Sequence, residues 1–110
     1  MTFDEFKEVT NNYVGKLQEG VNPFTNKPYI CFSNVNLLTS YYADGTIYKQ
    51  EKVYCEIKLC VYDHGIALTG YEKTYAIKGG FSTEATIKQL EYNLQRYNFT
   101  KKNFTQLTLF

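Results

Sequence analysis

The sequence predicts an α+β domain, an antiparallel β-meander of four to five strands packed by two helices in the order α-β-β-β-β-α-β. Three observations carry this. Apolar residues recur at helical spacing near both ends of the chain. Side chains alternate strictly along Val53–Tyr62. Asp44-Gly45 and Asp63-His64-Gly65 mark chain reversals between extended segments. At 110 residues, with 44% hydrophobic and 21% charged, residues 1–110 read as a single domain able to build a core.

Thr2 and Glu5 have the spacing of a capping box, in which two orphan backbone donors are satisfied reciprocally. Phe3, Phe6, Val9, Tyr13, Val14 and Leu17 then recur at helical spacing, so the first helix is expected to run toward Gly20, with Gly15 weakening its last turn. Residues 21–27 read as a loop around Pro23. Tyr29-Ile30-Cys31-Phe32 is a short strand after Pro28; Ser33–Asn36 is expected to break it, and Leu37–Tyr42 to resume it. Asp44-Gly45 predicts a type I′ hairpin turn.

Along Val53–Tyr62, Val53, Cys55, Ile57, Leu59 and Val61 face one way, and Tyr54, Glu56, Lys58, Cys60 and Tyr62 the other. Cys55 and Cys60 therefore lie on opposite faces. Ile66–Lys78 is strand-like, with Gly70 expected as a bulge and Gly79-Gly80 as its end. Ser82 is the expected cap of a second helix, with Glu84 in its first turn and Ile87, Leu90, Leu94 and Tyr97 as its buried stripe. Phe104–Phe110 reads as a closing strand.

Several function classes fall away. The net charge is +1, from 12 Lys+Arg against 11 Asp+Glu; Arg96 is the sole arginine and the lysines are scattered. No stripe of basic residues suited to nucleic acid is formed, and no carboxylate array that would mimic it. The one histidine, His64, sits in a turn and has no nucleophile and orienting partner around it. No C-x-x-C, H-E-x-x-H or acidic calcium loop occurs. Gly79-Gly80-Phe81-Ser82-Thr83 lacks both the Walker lysine and the G-x-G-x-x-G spacing. The expectation is a protein with no catalytic residues, metal or cofactor, hence no enzyme. Cys31, Cys55 and Cys60 cannot all pair and are expected as reduced thiols in or near the core. The opening residues carry no basic and apolar leader, and no run is long enough to span a membrane, so a cytoplasmic or virion setting is expected.

The aromatic content is high, 17%, with 11 Tyr, 8 Phe and no Trp. If both helices cover the aliphatic row of Val53–Tyr62, the other row meets no helix. Tyr54, Glu56, Lys58 and Tyr62 are too polar for a core and too aromatic for idle surface, so they are the expected protein-interaction residues.

The segments Lys27-Pro-Tyr-Ile-Cys-Phe32, Tyr41-Tyr-Ala-Asp-Gly-Thr-Ile-Tyr48 and Val53-Tyr-Cys-Glu-Ile-Lys-Leu59, after the opening Met1-Thr-Phe-Asp-Glu-Phe6, form a pattern. It resembles the small tail-terminator or tail-completion (head–tail joining) proteins of tailed phages of Gram-positive hosts. There an amphipathic helix leads to a proline-led strand, an aromatic-Ala-Asp-Gly hairpin and a strand ending in Ile-x-Leu. The resemblance covers residues 1–60, and Glu84–Lys102 loosely. Residues 63–80 depart from it, inserting a second hairpin arm where the family enters a helix. The resemblance implies a non-enzymatic subunit that forms a ring capping the tail tube and offers a platform to head-completion proteins. The competing class is a small phage or mobile-element inhibitor of the anti-CRISPR kind, which binds and blocks a host protein complex; a housekeeping accessory domain is a third. Oligomeric state separates the first two, since a terminator closes a ring through heterologous contacts.

Overall fold

A computed structural model describes residues 1–73 and 78–102. In chain order it contains α1 (Phe3–Thr10), β1 (Lys16–Val21), β2 (Pro28–Tyr41), β3 (Ile47–Tyr62), β4 (Gly65–Lys73), β5 (Lys78–Glu84) and α2 (Ile87–Arg96). The strands form one antiparallel sheet in the order β1-β2-β3-β4-β5. The fold is α+β, a five-stranded meander packed by two helices. Its order, α-β-β-β-β-β-α, has one more strand before the second helix than the sequence reading gave. The closing strand expected at Phe104–Phe110 lies outside the described residues.

The capping box at the start of α1 forms. Thr2 Oγ1 accepts from the Glu5 amide at 3.1 Å, and Glu5 Oε1 accepts from the Thr2 amide at 3.0 Å. The helix ends earlier than its apolar spacing suggests. Beyond Thr10, Lys16–Val21 pairs as β1 with β2, from Lys16↔Ser33 to Val21↔Pro28, and leaves Val14 and Leu17 exposed. A Cβ on Gly15 would stand 2.4 Å from the Phe32 ring, so the glycine lets the chain pass close over a core aromatic just before it pairs. Backbone pairing of six residues replaces two more helical turns.

Ser33–Asn36 does not break β2. Asn34 Nδ2 donates to Asn36 Oδ1, and Asn36 Nδ2 donates to the Tyr97 carbonyl, each at 2.9 Å. These polar side chains are satisfied by each other and by the end of α2, so the strand runs unbroken against β3 from Tyr29↔Cys60 to Ser40↔Lys49. The chain reverses at Asp44-Gly45, but not through a type I′ turn. Gly45 alone of the pair has positive φ, +89°. The Gly45 amide donates to the Tyr42 carbonyl and the Tyr42 amide to that of Thr46, which encloses a three-residue loop, Ala43-Asp44-Gly45. The Asp44 carboxylate accepts from the Thr46 amide and hydroxyl at 3.0 and 2.6 Å, which favours an ordinary turn conformation at Asp44.

Gly70 is not a bulge. It keeps register with Ile57 on one side and Phe81 on the other. Gly79-Gly80 does not end a strand either; it lies inside β5, opposite Glu72 and Tyr71. The cap of α2 is consequently Thr86, whose Oγ1 accepts from the Gln89 amide at 3.1 Å, while Ser82 and Glu84 belong to β5. An edge strand tolerates glycine, and pairing with β4 satisfies its backbone better than a short helical extension would. Leu90, Leu94 and Tyr97 are buried as expected of the stripe; Ile87, in the first turn, is exposed.

Phe6 of α1 and Leu90 and Leu94 of α2 meet Ile30, Phe32, Val53, Cys55, Ile57, Leu59 and Leu68 in one core. Both helices therefore lie on the same side of the sheet. The molecule is a slab of 45 × 45 × 21 Å, the thickness of two layers.

Candidate protein-docking face

Paired residues in a sheet share a face, so the register assigns the side turned away from the helices. It carries Tyr54, Glu56, Lys58, Cys60 and Tyr62 from β3, Tyr29, Cys31, Ser33, Val35 and Leu37 from β2, and Thr69, Tyr71 and Lys73 from β4. Four odd residues in the middle of β3 are buried against the helices: Val53, Cys55, Ile57 and Leu59 are each at most 1% exposed.

Glu56 is the hub of this open face. Its Oε2 accepts from the Tyr54 hydroxyl at 2.9 Å and from the Cys31 thiol at 3.6 Å, and its Oε1 lies 3.4 Å from Lys58 Nζ. Roofed by these groups, and with Tyr71 opposite it, Glu56 is only 7% exposed although neither α1 nor α2 covers it. Lys58 Nζ also stands 5.1 Å from the Tyr29 ring centroid, and the Tyr54 and Tyr71 rings are 6.1 Å apart.

The chemistry of the cluster is that of a fixed polar network. Burial, reinforced by the Glu56 charge, pushes the Cys31 thiol up to about 12. Burial and the hydrogen bond to Glu56 push the Tyr54 hydroxyl up to about 12. Burial lowers Lys58, but the charge and hydrogen bond of Glu56, together with Cys31 and Cys60, hold the ammonium above its ordinary value. A thiol so displaced is a poor nucleophile. All three cysteines are free, with Cys31 and Cys60 on the open face and Cys55 in the core.

Of the four residues expected here, Tyr54, Glu56 and Lys58 come together and Tyr62 does not join them. Tyr62 lies eight residues from Tyr54 along β3, about 26 Å at the usual rise. Its ring stacks on His64 of the following turn, with centroids 5.5 Å apart. Val35 and Leu37 were missed. They sit beside Tyr54 and Lys52 in the register and are 55% and 47% exposed. Their period-two spacing was the available signal, hidden because Ser33–Asn36 read as a break.

The β2–β3 ribbon extends past its neighbours. Among the described residues β1 pairs only to Ser33 and β4 only to Tyr54; just beyond them Asn36, Leu38 and Val53 still pack on the core and the end of α2, and the ribbon then continues to its turn as two strands. Near its tip the Tyr42 and Tyr48 rings meet edge to face at 5.0 Å, with Tyr41 and Ile47 also exposed. Among the described residues no three His, Cys, Asp or Glu side chains are grouped to hold a metal, and no helix is long and apolar enough to cross a membrane. No family model matches the chain, and neither the curated proteins nor the solved structures give a match to it.

Proposed function

We propose that this chain is a non-enzymatic docking subunit, of the tail-terminator or tail-completion kind, that receives a partner protein on its open sheet face. The observation that supports this most directly is the grouping of Val35, Leu37 and Tyr54 as exposed neighbours on a face that neither helix covers. Aliphatic and aromatic side chains in such a group are the usual centre of an interface, and lysines around it form a polar rim. The Glu56 network holds Tyr54 and Lys58 in place before a partner arrives, so little side-chain freedom remains to be lost on binding. In this reading copies of the chain close into a ring through other surfaces, and the open face is the platform turned to the next protein of the assembly.

The test separates assembly from docking. Light scattering and electron microscopy of the purified protein should find closed rings. A Val35→Ser/Tyr54→Ser variant should stay folded and ring-forming, yet no longer retain the assembly protein that binds the wild type. A folded monomer that instead binds a host complex would replace this reading with that of an inhibitor. A variant that binds as before would move the docking surface elsewhere.

A further inference from the structure

The charges on the open face are uneven. Lys16, Lys52, Lys58 and Lys73 lie on it, against Glu56 and Glu84. Glu56 is already engaged by Lys58 and Tyr54, and Glu84 sits opposite Ala67, near the end of the sheet away from Tyr54. Around the exposed group, among the described residues, the imbalance is complete. Lys52 lies opposite Leu37 and Lys73 opposite Tyr54, and neither makes an ion pair among the described residues. Glu51 and Glu72, the acids next to Lys52 and Lys73 in sequence, face the other side of the sheet, where Glu72 lies opposite Cys55 and Glu51 is held by Lys49 at 3.1 Å. Val35, Leu37 and Tyr54 are thus an apolar centre between two uncompensated cations.

We propose that the occupant of this face is an acidic protein segment, one that places an apolar side chain on Val35, Leu37 and Tyr54 and carboxylates against Lys52 and Lys73. This rests on the docking reading above and adds the chemistry of the partner. Charge complementarity of this kind speeds encounter and rejects wrong partners. A polynucleotide fits less well. Val35 and Leu37 offer no ring for a base to stack on, and the sole arginine, Arg96, belongs to α2 on the opposite layer.

The experiment is a selection from a random twelve-residue peptide display library on the immobilised wild-type protein, followed by binding of the synthesised winners. Winners should carry Asp or Glu on both sides of an aliphatic or aromatic residue. Their affinity should fall with added salt and drop about tenfold or more against a Lys52→Glu/Lys73→Glu variant whose melting curve matches the wild type. Winners without acidic bias, or with equal affinity for that variant, would overturn the proposal, as would tighter binding of oligothymidylate than of any peptide at this face. Self-association of the wild type that the same charge reversals dissolve would also overturn it, since the occupant would then be a second copy. Tyr54→Ser distinguishes the two levels. If Tyr54→Ser abolishes peptide binding while the charge reversals do not, docking stands and the acidic partner falls; if neither matters, both fall.

Discussion

The Tyr54 hydroxyl donates a 2.9 Å hydrogen bond to Oε2 of Glu56, two residues further along the same side of β3. The bond couples opposite environments: Tyr54 is 36% exposed, whereas Glu56 is 7% exposed on a sheet face that neither α1 nor α2 covers. An accessible aromatic ring is thereby tethered to a nearly buried carboxylate, which also gathers Lys58 and Cys31.

Glu56→Ala should destabilise the fold by about 1–3 kcal/mol, because three donors lose a shared acceptor in a partly dry site. Lys58→Met should cost less, under about 1 kcal/mol, since the ammonium is about a third exposed and its pairing is screened. Denaturant unfolding of both variants measures the order. A costlier Lys58→Met would show that the carboxylate is not the hub.

Stability should decline at alkaline pH. In the fold Cys31 and Tyr54 are each pushed up to about 12 by burial and Glu56, from ordinary values of 9.0 and 10.0. The unfolded chain releases these protons first. Their contribution is therefore complete below pH 9 and is lost as pH rises through 12. Cys31→Ala should flatten the early part of that decline, between pH 9 and 10.5, in unfolding curves taken at stepped pH. A decline of unchanged shape there would assign it to other groups.

Gly70→Ala should cost about 1–3 kcal/mol, an overpacking penalty at a residue in regular register. The added methyl would lie 2.6 Å from the Glu56 carbonyl oxygen and 2.5 Å from the Phe81 ring. The ring can shift; the backbone oxygen between paired strands has little room to. A neutral Gly70→Ala in thermal unfolding would mean that β3, β4 and β5 are less tightly registered than described.

Gly45→Val should lose about 1–3 kcal/mol because a β-branched residue is forced to positive φ. Gly45→Asn should be far milder. Nothing lies within 4 Å of the would-be Cβ, so the difference isolates backbone strain from crowding. Equal melting temperatures for the two variants would place the strain elsewhere.

Much of the central strand was legible. A two-residue period fixes which side each residue of Val53–Tyr62 faces, whatever covers that side, and the buried row from Val53 to Leu59 follows it. The capping box at Thr2 and Glu5 and the reversal at Asp44-Gly45 are equally local, because their partners lie within three or four residues. The candidate site was legible in part. Alternation placed Tyr54, Glu56 and Lys58 on one face, but no pattern along the chain brings Cys31 to Glu56 across the gap between strands.

The sequence by itself determined the two faces of Val53–Tyr62, the first cap and the hairpin position, all consequences of backbone geometry over a few residues. The tertiary structure decided the rest. Lys16–Val21 and Lys78–Glu84 became edge strands because pairing with β2 and β4 satisfies every other backbone group along them. Cross-strand contact likewise decided that Glu56 is hidden and that Val35 and Leu37 are bare. Burial is set by what stands across the sheet, and the neighbours in question are separated by 25 residues for Cys31 and Glu56, and by 19 for Val35 and Tyr54.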